Sequence, residues 1–409
     1  MPTVAEALAR VLEHVRPLPV AGRPLETCLG RRLAGDVHAD ADQPPFDKAL
    51  MDGYAVRSAD LAQLPRRLTV GETLPAGAVP SRPIAPGEAA AIMTGAPLPP
   101  DADGVVMVEK TEPDGDDGVV ILPQPIAPGM NRMTRGEIYR QGDRLLAAGA
   151  PLAPVRLGLL AAVGAATVRV YDAPRVAIVP TGDELVAFRD TPGPGQIRES
   201  NATMLTALAT AAGADAWTSP ILRDEPGALR DGLREALDRD VVLAIGGVSA
   251  GRRDLVPETF RALGVREVFH KIRIRPGKPL WFGVGPDRDD GRPPALVFGL
   301  PGNPLSGLVN FLNFVAPALV AMQGGPATGP KLLPARAAKP LARRADLDVF
   351  LPARIVEPAE ASRPIAVEPL PSRGSADMAA VAHADGFLTV PAGDGTIEPG
   401  EIVDFLPLE

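Results

Sequence analysis

The sequence predicts a multidomain α/β plus β protein, in which one doubly wound α/β domain is joined to β-rich segments. The chain has 409 residues, enough for roughly two to three domains of ordinary size. Three apolar runs, at 176–179, 241–245 and 296–300, each end in a polar or glycine-rich turn. With a helical pattern after the turns, such runs are typical of a parallel sheet covered by helices. Residues 17–149 and 331–409 alternate short apolar runs with Pro and Gly turns, which favours β structure.

The spacing of apolar residues predicts helices around these strands. They are expected at 3–15, 155–163, 201–212, 229–237 and from the third strand-end turn to about 322. Asn201 stands at the start of its helix and is the expected N-cap. A short strand is expected at 167–170, and the Gly- and Pro-rich stretch at 324–330 predicts a linker.

Composition and charge argue against several classes of protein. The formal net charge is −8, from 42 Lys and Arg against 50 Asp and Glu, which disfavours a broad nucleic-acid surface. Cys28 is the only cysteine and the four histidines are scattered, so neither a disulfide nor a Cys/His zinc site is expected. Arg10, Glu13 and Arg16 interrupt the first apolar stretch, which disfavours a signal peptide. We therefore expect a cytoplasmic protein with no membrane span.

Each of the three strand-end turns carries groups suited to anions or divalent cations. The turns are Thr181–Glu184, Gly246–Gly251 followed by Asp254, and Pro301–Ser306. Ligands of open parallel sheets bind beyond the carboxyl ends of the strands, so these turns are expected to meet at one edge. A fourth turn adds the cations Arg275 and Lys278. Carboxylates beside an anion cradle predict a phosphorylated ligand with Mg²⁺.

Each of these features also has an ordinary structural interpretation. Gly246–Gly251 lacks the Lys-Ser/Thr of a phosphate-binding loop and is a poor dinucleotide fingerprint. Arg275 and Lys278 taken alone would be solvated surface charges, and Glu184 alone could favour a helix start. Two further turns, around Asp52-Gly53 and Thr94-Gly95, are equally compatible with β-turns or with a site. The co-occurrence of the first four features at one predicted edge favours a site.

Seven motifs occur in the order known from one family. They are Met51–Ala55, Ile92–Pro97, Pro180–Leu185, Gly246–Gly251, Pro276–Pro279, Leu300–Pro304 and Gly374-Ser375. On these motifs the whole chain closely resembles the MoeA family of molybdopterin molybdenumtransferases, which includes the C-terminal domain of gephyrin.

The resemblance implies four domains and a shared active site. An N-terminal domain at 1–42 and 140–173 is interrupted by a β-rich inserted domain at 43–139. A MogA-like α/β domain follows at 174–325 and a C-terminal β barrel at 328–409. Family members are homodimers in which the α/β domain of one subunit and the inserted domain of the other form the site.

The resemblance also implies a reaction. Molybdenum from molybdate enters adenylylated molybdopterin, AMP is released, and a divalent cation, usually Mg²⁺, is required. Two alternatives stay open: a molybdopterin adenylyltransferase that consumes ATP, and a non-catalytic scaffold of the gephyrin kind. The extra domains argue against the first, and no fused domain or long linker favours the second.

The resemblance carries residue roles onto this sequence. Glu184 and Asp254 match metal-associated carboxylates, Asp224 matches another acid of the α/β domain, and Asp52 and Thr94 match functional positions of the inserted domain. The expected substrate-binding set is Thr181, Gly182, Asp183, Gly246, Gly247, Ser249, Arg275, Lys278, Pro279, Ser306, Arg354 and Ser375. Within it, Arg275, Lys278, Pro279, Ser306 and Ser375 match the oxyanion cluster for molybdate.

Two positions depart from the family pattern. The family usually has Gly-Glu-Asp where this chain has Ile138 as the third residue, and Phe-x-Arg where it has Pro352 as the third. If residues around 352 form a strand, positions two apart face the same side, so Arg354 is expected to substitute for the missing arginine.

Overall fold

The structure, a computed structural model, describes residues 1–124, 127–248, 255–360 and 363–408. The chain folds into two compact units. Unit 1 comprises Met1–Gly35, Ala148–Gly158 and Ala166–Glu409, and unit 2 comprises Asp36–Ala147 and Leu159–Ala165. Unit 2 is thus inserted in the chain between segments of unit 1. The finer division into four domains stays a prediction.

The N-terminal helix Val4–Glu13 begins with a reciprocal cap, within the predicted range 3–15. The N–H of Glu6 donates to the Thr3 hydroxyl at 3.2 Å, and the N–H of Thr3 donates to the Glu6 carboxylate at 2.9 Å. This capping box satisfies two backbone donors that the first helical turn leaves free. Ala7 and Val11 form its fully buried face.

Unit 2 is built on a mixed six-stranded sheet, as its β-rich sequence predicts. The strand order is Gly104–Met107, Gly53–Val56, Glu88–Ile92, Arg66–Leu74, Gly118–Ile121 and Thr111–Asp114. Arg66–Leu74 runs parallel to Glu88–Ile92, and the other neighbours pair antiparallel. Short pairs join Val37–His38 to Arg144–Leu146 and Lys48–Ala49 to Arg132–Met133, and short 3₁₀ turns cover Ser58–Leu61 and Val108–Lys110.

Unit 1 contains the predicted doubly wound α/β layer, on a mixed sheet. The strand order is Asp215–Thr218, Arg175–Pro180, Val241–Ile245, Leu296–Leu300, Trp281–Val284 and Arg266–His270. The first four strands are parallel, and the last two pair antiparallel. The three predicted strands are therefore adjacent, and the sequence had not predicted the antiparallel pair at the edge.

Both faces of this sheet are buried, which makes the fold doubly wound. In the strand Val241–Ile245, Val241, Leu243 and Ile245 belong to one apolar core, and Val242 and Ala244 belong to the other. Alternate side chains of a strand point to opposite faces, so helices must cover both. The helices of this layer are Asn201–Ala211, Pro226–Ala236, Leu255–Ala262, Pro304–Asn310 and Ala316–Met322, with a π-helical segment at Phe311–Val315.

The N-cap predicted for the helix Asn201–Ala211 is wrong. Ser200 precedes the helix as its N-cap and makes no side-chain cap. The Glu199 carboxylate instead accepts the N–H of Ala202 at 2.7 Å, so a first-turn donor is already satisfied. The Asn201 amide is then free to donate to the carbonyl of Gly302 at 2.7 Å.

One helical stretch, Pro304–Met322, is long and apolar enough to cross a membrane by length and composition. Most of it lies inside the protein: 83% of its most apolar 18-residue window is buried. Its side chains belong to the core of the α/β layer, which explains the apolar composition.

A closed five-stranded barrel follows the α/β layer, as predicted. Its strands, in order around the barrel, are Asp348–Glu357, Ala366–Pro369, Leu333–Ala337, Ile402–Pro407 and Gly386–Val390, and the last pairs with the first. The strand Ile274–Arg275 adds to this sheet, parallel to Asp348–Glu357.

The remaining elements of unit 1 are short. They are the ribbon of Val20–Pro24 with Thr167–Tyr171, the pairs Leu185–Val186 with Ile197–Arg198 and Leu341–Ala342 with Thr396–Ile397, the 3₁₀ turn Leu25–Thr27 and the helix Met378–Ala382. The helix predicted at 155–163 is confirmed and spans Pro154–Ala162.

Asp240 ties together the amino ends of three parallel strands. Its side chain is 2% exposed and accepts hydrogen bonds from Arg175 at 3.1 Å and from Arg292 at 2.8 Å. Its carbonyl accepts the N–H of Leu296 at 3.0 Å. Burial alone would raise the pKa of Asp240, but the hydrogen bonds from Arg292 and Arg175 outweigh burial, so the pKa lies below its ordinary value.

We predict that Asp240→Asn lowers the free energy of unfolding by roughly 3–5 kcal/mol at pH 7, because three partly buried arginines, Arg175, Arg288 and Arg292, lose the buried carboxylate that they share. The pKa of Asp240 is lower in the folded state than in the unfolded state, so its ionised carboxylate stabilises the fold fully above the unfolded-state pKa of about 4. This stabilisation is lost as the pH falls through the folded-state pKa. In urea unfolding, the free energy of unfolding of Asp240→Asn should therefore lie far below that of the unsubstituted protein at pH 7, and the gap should be smaller in acid.

The matched control is Asp231→Asn. Asp231 is 68% exposed and pairs with Arg234 at 3.3 Å on a helix surface, so little change is expected. Equal losses of unfolding free energy in the two variants would contradict this role of Asp240. A destabilisation by Asp240→Asn that grows as the pH falls would also contradict it.

Candidate active site

Backbone hydrogen bonds join the three strand-end turns at the carboxyl edge of the sheet. The N–H of Thr181 donates to the carbonyl of Ile245, and the N–H of Gly246 donates to the carbonyl of Leu300, both at 2.9 Å. Each turn is thereby held against the end of the neighbouring strand. The structure brings the three turns together at one edge.

Gly182 and Gly246 of these turns have positive φ values, and Gly246 lies where two turns approach closely. Gly246 has a φ of +91°, and a Cβ there would lie 2.6 Å from the carbonyl oxygen of Thr181. Gly182 has a φ of +145°, and a Cβ there would lie 2.5 Å from the Glu184 carboxylate. Side chains at either position would push the neighbouring turn or the Glu184 carboxylate away.

A cavity of about 430 Å³ opens at this edge, and we call it the carboxylate cleft. Glu184, Thr181 and Gly246 of the predicted set line it. Glu184 is exposed, whereas Thr181 is 3% exposed and its hydroxyl donates to the carbonyl of Ile245 at 3.1 Å. The other lining residues are Leu185, Ile197, Arg198, Glu199, Ser200, Asn201, Ile245, Gly302, Asn303, Pro304 and Ala376.

Glu199 is a lining carboxylate that the sequence analysis missed. It is only 7% exposed, and burial raises its pKa above the ordinary value for glutamate. Burial therefore favours the neutral form of Glu199, which makes this side chain a candidate proton donor in the cleft. Its position just before a predicted helix start was the available signal.

A second cavity, of about 510 Å³, contains the predicted oxyanion cluster, and we call it the cation pocket. Arg275, Lys278, Pro279, Ser306 and Ser375 all line it. The other lining residues are Ile274, Pro276, Gly277, Pro301, Asn303, Leu305, Leu347, Val349, Phe350, Leu351, Pro352, Ser372 and Gly374. Asn303 lines both cavities, so the third turn contributes to each.

The two cations of this pocket are available for a ligand. Arg275 and Lys278 are exposed, and neither has a carboxylate within 4.0 Å among the residues that the structure describes. Ser306 is 4% exposed, and the carbonyl of Ser375 accepts the N–H of Leu305 at 3.0 Å. Two cations with two hydroxyls suit a small tetrahedral oxyanion.

The structure does not bring Arg354 into the cation pocket. Pro352 lines the pocket, but the guanidinium of Arg354 donates to Glu368 through Nε at 2.8 Å and Nη2 at 2.6 Å. Glu368 lies directly opposite Arg354 on the neighbouring antiparallel strand and holds the guanidinium away from the pocket. The expected substitution for the family arginine is therefore corrected.

Four other predicted residues of the α/β layer, Gly182, Asp183, Asp224 and Gly247, do not line the carboxylate cleft. The Asp183 carboxylate accepts the N–H of Asp224 at 3.2 Å, which places the two acids side by side. A Cβ at Gly247 would lie 2.7 Å from Val256. Ser249 and Asp254 fall outside the described residues. Within the described part of the chain, no group of three or more His, Cys, Asp and Glu side chains could by itself hold a metal ion.

Asp52 and Thr94 form a hydrogen-bonded pair in unit 2. The N–H and the hydroxyl of Thr94 both donate to the Asp52 carboxylate at 2.7 Å. These bonds, the backbone one above all, lower the pKa of Asp52 below its ordinary value. Asp52 is thus an exposed, firmly ionised and oriented carboxylate.

Three family models match successive parts of the chain. The model described as "MoeA N-terminal region (domain I and II)" matches residues 2–164. The model described as "Probable molybdopterin binding domain" matches residues 177–321, and "MoeA C-terminal region (domain IV)" matches residues 334–408.

Curated relatives and a solved structure agree with these matches. A Nostoc protein named molybdopterin molybdenumtransferase is 40% identical over 72% of this chain and 67% of its own length. A Staphylococcus aureus protein of the same name is 31% identical over 99% of this chain and 95% of its own. The crystal structure of a molybdopterin biosynthesis MoeA protein from Pyrococcus horikoshii covers 99% of both chains, with 28% identity and a TM-score of 0.80. The chain belongs to the MoeA family.

Proposed function

We propose that the protein inserts molybdenum from molybdate into adenylylated molybdopterin and releases AMP. Membership of the MoeA family makes the chain a transferase of molybdenum cofactor biosynthesis. Its curated relatives carry the name of this activity. The N-terminal and C-terminal MoeA regions favour molybdenum insertion over the adenylyltransferase alternative. The transferase name of the curated relatives favours it over the scaffold alternative.

The observation that carries this proposal is the cation pocket. Arg275 and Lys278 supply two positive charges without carboxylate partners among the described residues, and Ser306 and Ser375 supply hydroxyls. Guanidinium and ammonium groups bind an oxyanion through short, charge-assisted hydrogen bonds. In the proposed role they hold molybdate against the apolar wall formed by Phe350, Leu351 and Pro352.

The reaction balances without a change of oxidation state. Two dithiolene sulfurs replace one oxygen of molybdate, which leaves as water with the two thiol protons. Cleavage of the phosphoanhydride consumes one water and releases AMP. The protein's task is to place the sulfurs beside the bound oxyanion and to stabilise charge on the departing phosphate.

The carboxylate cleft fits Mg²⁺ by the chemistry of its donors. Glu184 is an exposed carboxylate that lines the cleft, and the Thr181 hydroxyl oxygen lies in the same cleft. Mg²⁺ takes one or two carboxylates together with substrate phosphates, so Glu184 would hold it. The family resemblance assigns the same role to Asp254, which lies outside the described residues. Bound in the cleft, the ion would supply positive charge to the phosphoanhydride oxygens. Glu199, the buried acid, lies in the same cleft as a proton donor for the released phosphate.

The proposal includes a homodimer in the cytoplasm. Asp52 is flanked in unit 2 by the exposed apolar side chains Leu50, Met51, Met93 and Val108, each at least 40% exposed. An oriented carboxylate within an apolar surface is suited to completing a site on another molecule. We infer that this surface completes the site of a second copy.

We predict that Lys278→Ala raises the KM for molybdate about tenfold or more, because the variant loses a charge-assisted hydrogen bond to the oxyanion. AMP release at varied molybdate concentration measures this change. Lys331→Ala, an exposed lysine that lines neither cavity, serves as the control and should behave like the unsubstituted protein. An unchanged KM in Lys278→Ala would contradict molybdate binding in the cation pocket.

We predict that Glu184→Gln reduces AMP release at least about a hundredfold at ordinary Mg²⁺ concentrations, with partial recovery at high Mg²⁺, because an amide oxygen is a weaker ligand than a carboxylate. The control is Glu235→Gln, an exposed glutamate on the helix Pro226–Ala236. A variant whose activity is low at every Mg²⁺ concentration would contradict the proposed metal role, and near-normal turnover would reject any role for this carboxylate.

We predict that Asp52→Asn and Glu184→Gln are each nearly inactive alone and that their mixture regains activity. Random 1:1 mixing forms mixed dimers as about half of the total, and each holds one intact site, so about a quarter of full activity is expected. The variants are unfolded together, refolded and assayed for AMP release. Dimers of both variants that stay inactive after mixing would contradict a site shared between subunits.

A further inference from the structure

We propose that Asn310 is a positioning residue for the oxyanion, because its amide fixes the backbone between Arg275 and Lys278 so that both cations face one pocket. The inference rests on the proposed function in one respect, that the anion is molybdate. Asn310 does not line the cation pocket itself, and it acts through the turn that does.

The contact is a direct hydrogen bond from a buried side chain to the turn. Asn310 is 0% exposed, and its Nδ2 donates to the carbonyl oxygen of Gly277 at 3.1 Å. The same carbonyl accepts the N–H of Leu280 at 3.2 Å, which closes the turn locally. One bond is therefore internal to the turn, and the other anchors the turn to the core helix.

The turn and the helix also touch at Gly277. Its φ is +109°, and a Cβ there would lie 2.7 Å from Oδ1 and 3.0 Å from Nδ2 of Asn310. Only a residue without a side chain lets the backbone approach the amide this closely. The position of the turn is thus set by both a bond and a steric contact, each made with Asn310.

Packing alone does not explain an asparagine at this position. The Oδ1 atom of Asn310 is buried and has no hydrogen-bond partner among the described residues. An unpaired buried acceptor costs stability, and an apolar side chain of similar size would avoid that cost. Exchange of the two amide atoms would set oxygen against oxygen at Gly277, so the donor must face the turn. The amide is best explained by its bond to Gly277.

A neighbouring asparagine shows what a purely helical role looks like. Asn313 is also buried, at 4% exposure, and lies in the π-helical segment Phe311–Val315 that begins directly after Asn310. Its Nδ2 donates to the carbonyl of Val309 at 2.8 Å, a bond within the helical stretch. Of these two asparagines, Asn310 is the one bonded to the turn that carries the cations.

The test compares Asn310→Leu with Asn313→Leu. Asn310→Leu removes the anchoring bond and the unpaired oxygen together, so its thermal midpoint should stay the same or rise. Its Kd for molybdate, measured by calorimetry on the purified full chain, should rise about three- to tenfold, the range of one lost hydrogen bond. In turnover, the KM for molybdate should rise by the same factor while kcat changes less than about twofold. Asn313→Leu should leave the Kd unchanged.

The outcomes separate this inference from the proposed function. If the unsubstituted protein does not bind molybdate, the proposed use of the cation pocket fails, and the inference fails with it. If it binds molybdate and Asn310→Leu binds equally well, the inference alone is overturned. A loss of affinity shared equally by Asn313→Leu would show general helix damage and also overturn it. If Asn310→Leu does not fold, Asn310→Ala is measured in its place, against Asn313→Ala, with the same expected rise in Kd and the same grounds for rejection.

Discussion

The carboxyl edge of the parallel sheet depends on two backbone hydrogen bonds that continue past the ends of the strands. The bond from Thr181 to Ile245 holds the first turn against the end of the second strand, and the bond from Gly246 to Leu300 holds the second turn against the end of the third. Because buried backbone donors must find acceptors, these two turns are fixed by the neighbouring strand ends. Backbone hydrogen bonds at the strand ends therefore place chemically different side chains within one small region.

Most acidic and basic groups at this edge lie in different cavities. Glu184 and Glu199 line the carboxylate cleft, whereas Arg275 and Lys278 line the cation pocket, and Asn303 lines both. One cation, Arg198, also lines the carboxylate cleft, where its guanidinium donates to the carbonyl of Asp190 at 3.0 Å. Arg275 and Lys278 lie in the adjoining cavity and are available to an anion there.

The parts of the fold with strong local patterns could be predicted from the sequence. Fully apolar runs such as Val241–Ile245 are distinctive because both sheet faces are covered, and the glycines after them mark the turns. The antiparallel strands Trp281–Val284 and Arg266–His270 were not predicted. Arg266–His270 contains charged residues, and Trp281–Val284 is apolar but is not followed by a helical pattern. The helix Leu255–Ala262 was also missed, because eight residues give too short a periodic signal.

The site was predictable to the extent that its residues stand next to strand ends. The sequence placed Glu184 and Lys278 by their motifs, and both line cavities at the predicted edge. Contacts between distant segments could not be predicted from the sequence. The ion pair of Arg354 with Glu368 depends on strand register, and the hydrogen bond from Asn310 to Gly277 depends on helix packing. The roles of these residues, and those of Ser249 and Asp254, stay predictions.

The strand Ile274–Arg275 belongs by hydrogen bonding to the barrel sheet, although in sequence it lies within the α/β layer. Its parallel pairing with Asp348 and Val349 means that the guanidinium of Arg275 is mounted on the edge of the C-terminal barrel. Barrel residues Val349, Phe350 and Leu351 also line the cation pocket. Anion recognition is therefore built on two structural layers, and the barrel supplies part of the pocket wall as well as the strand partner of Arg275.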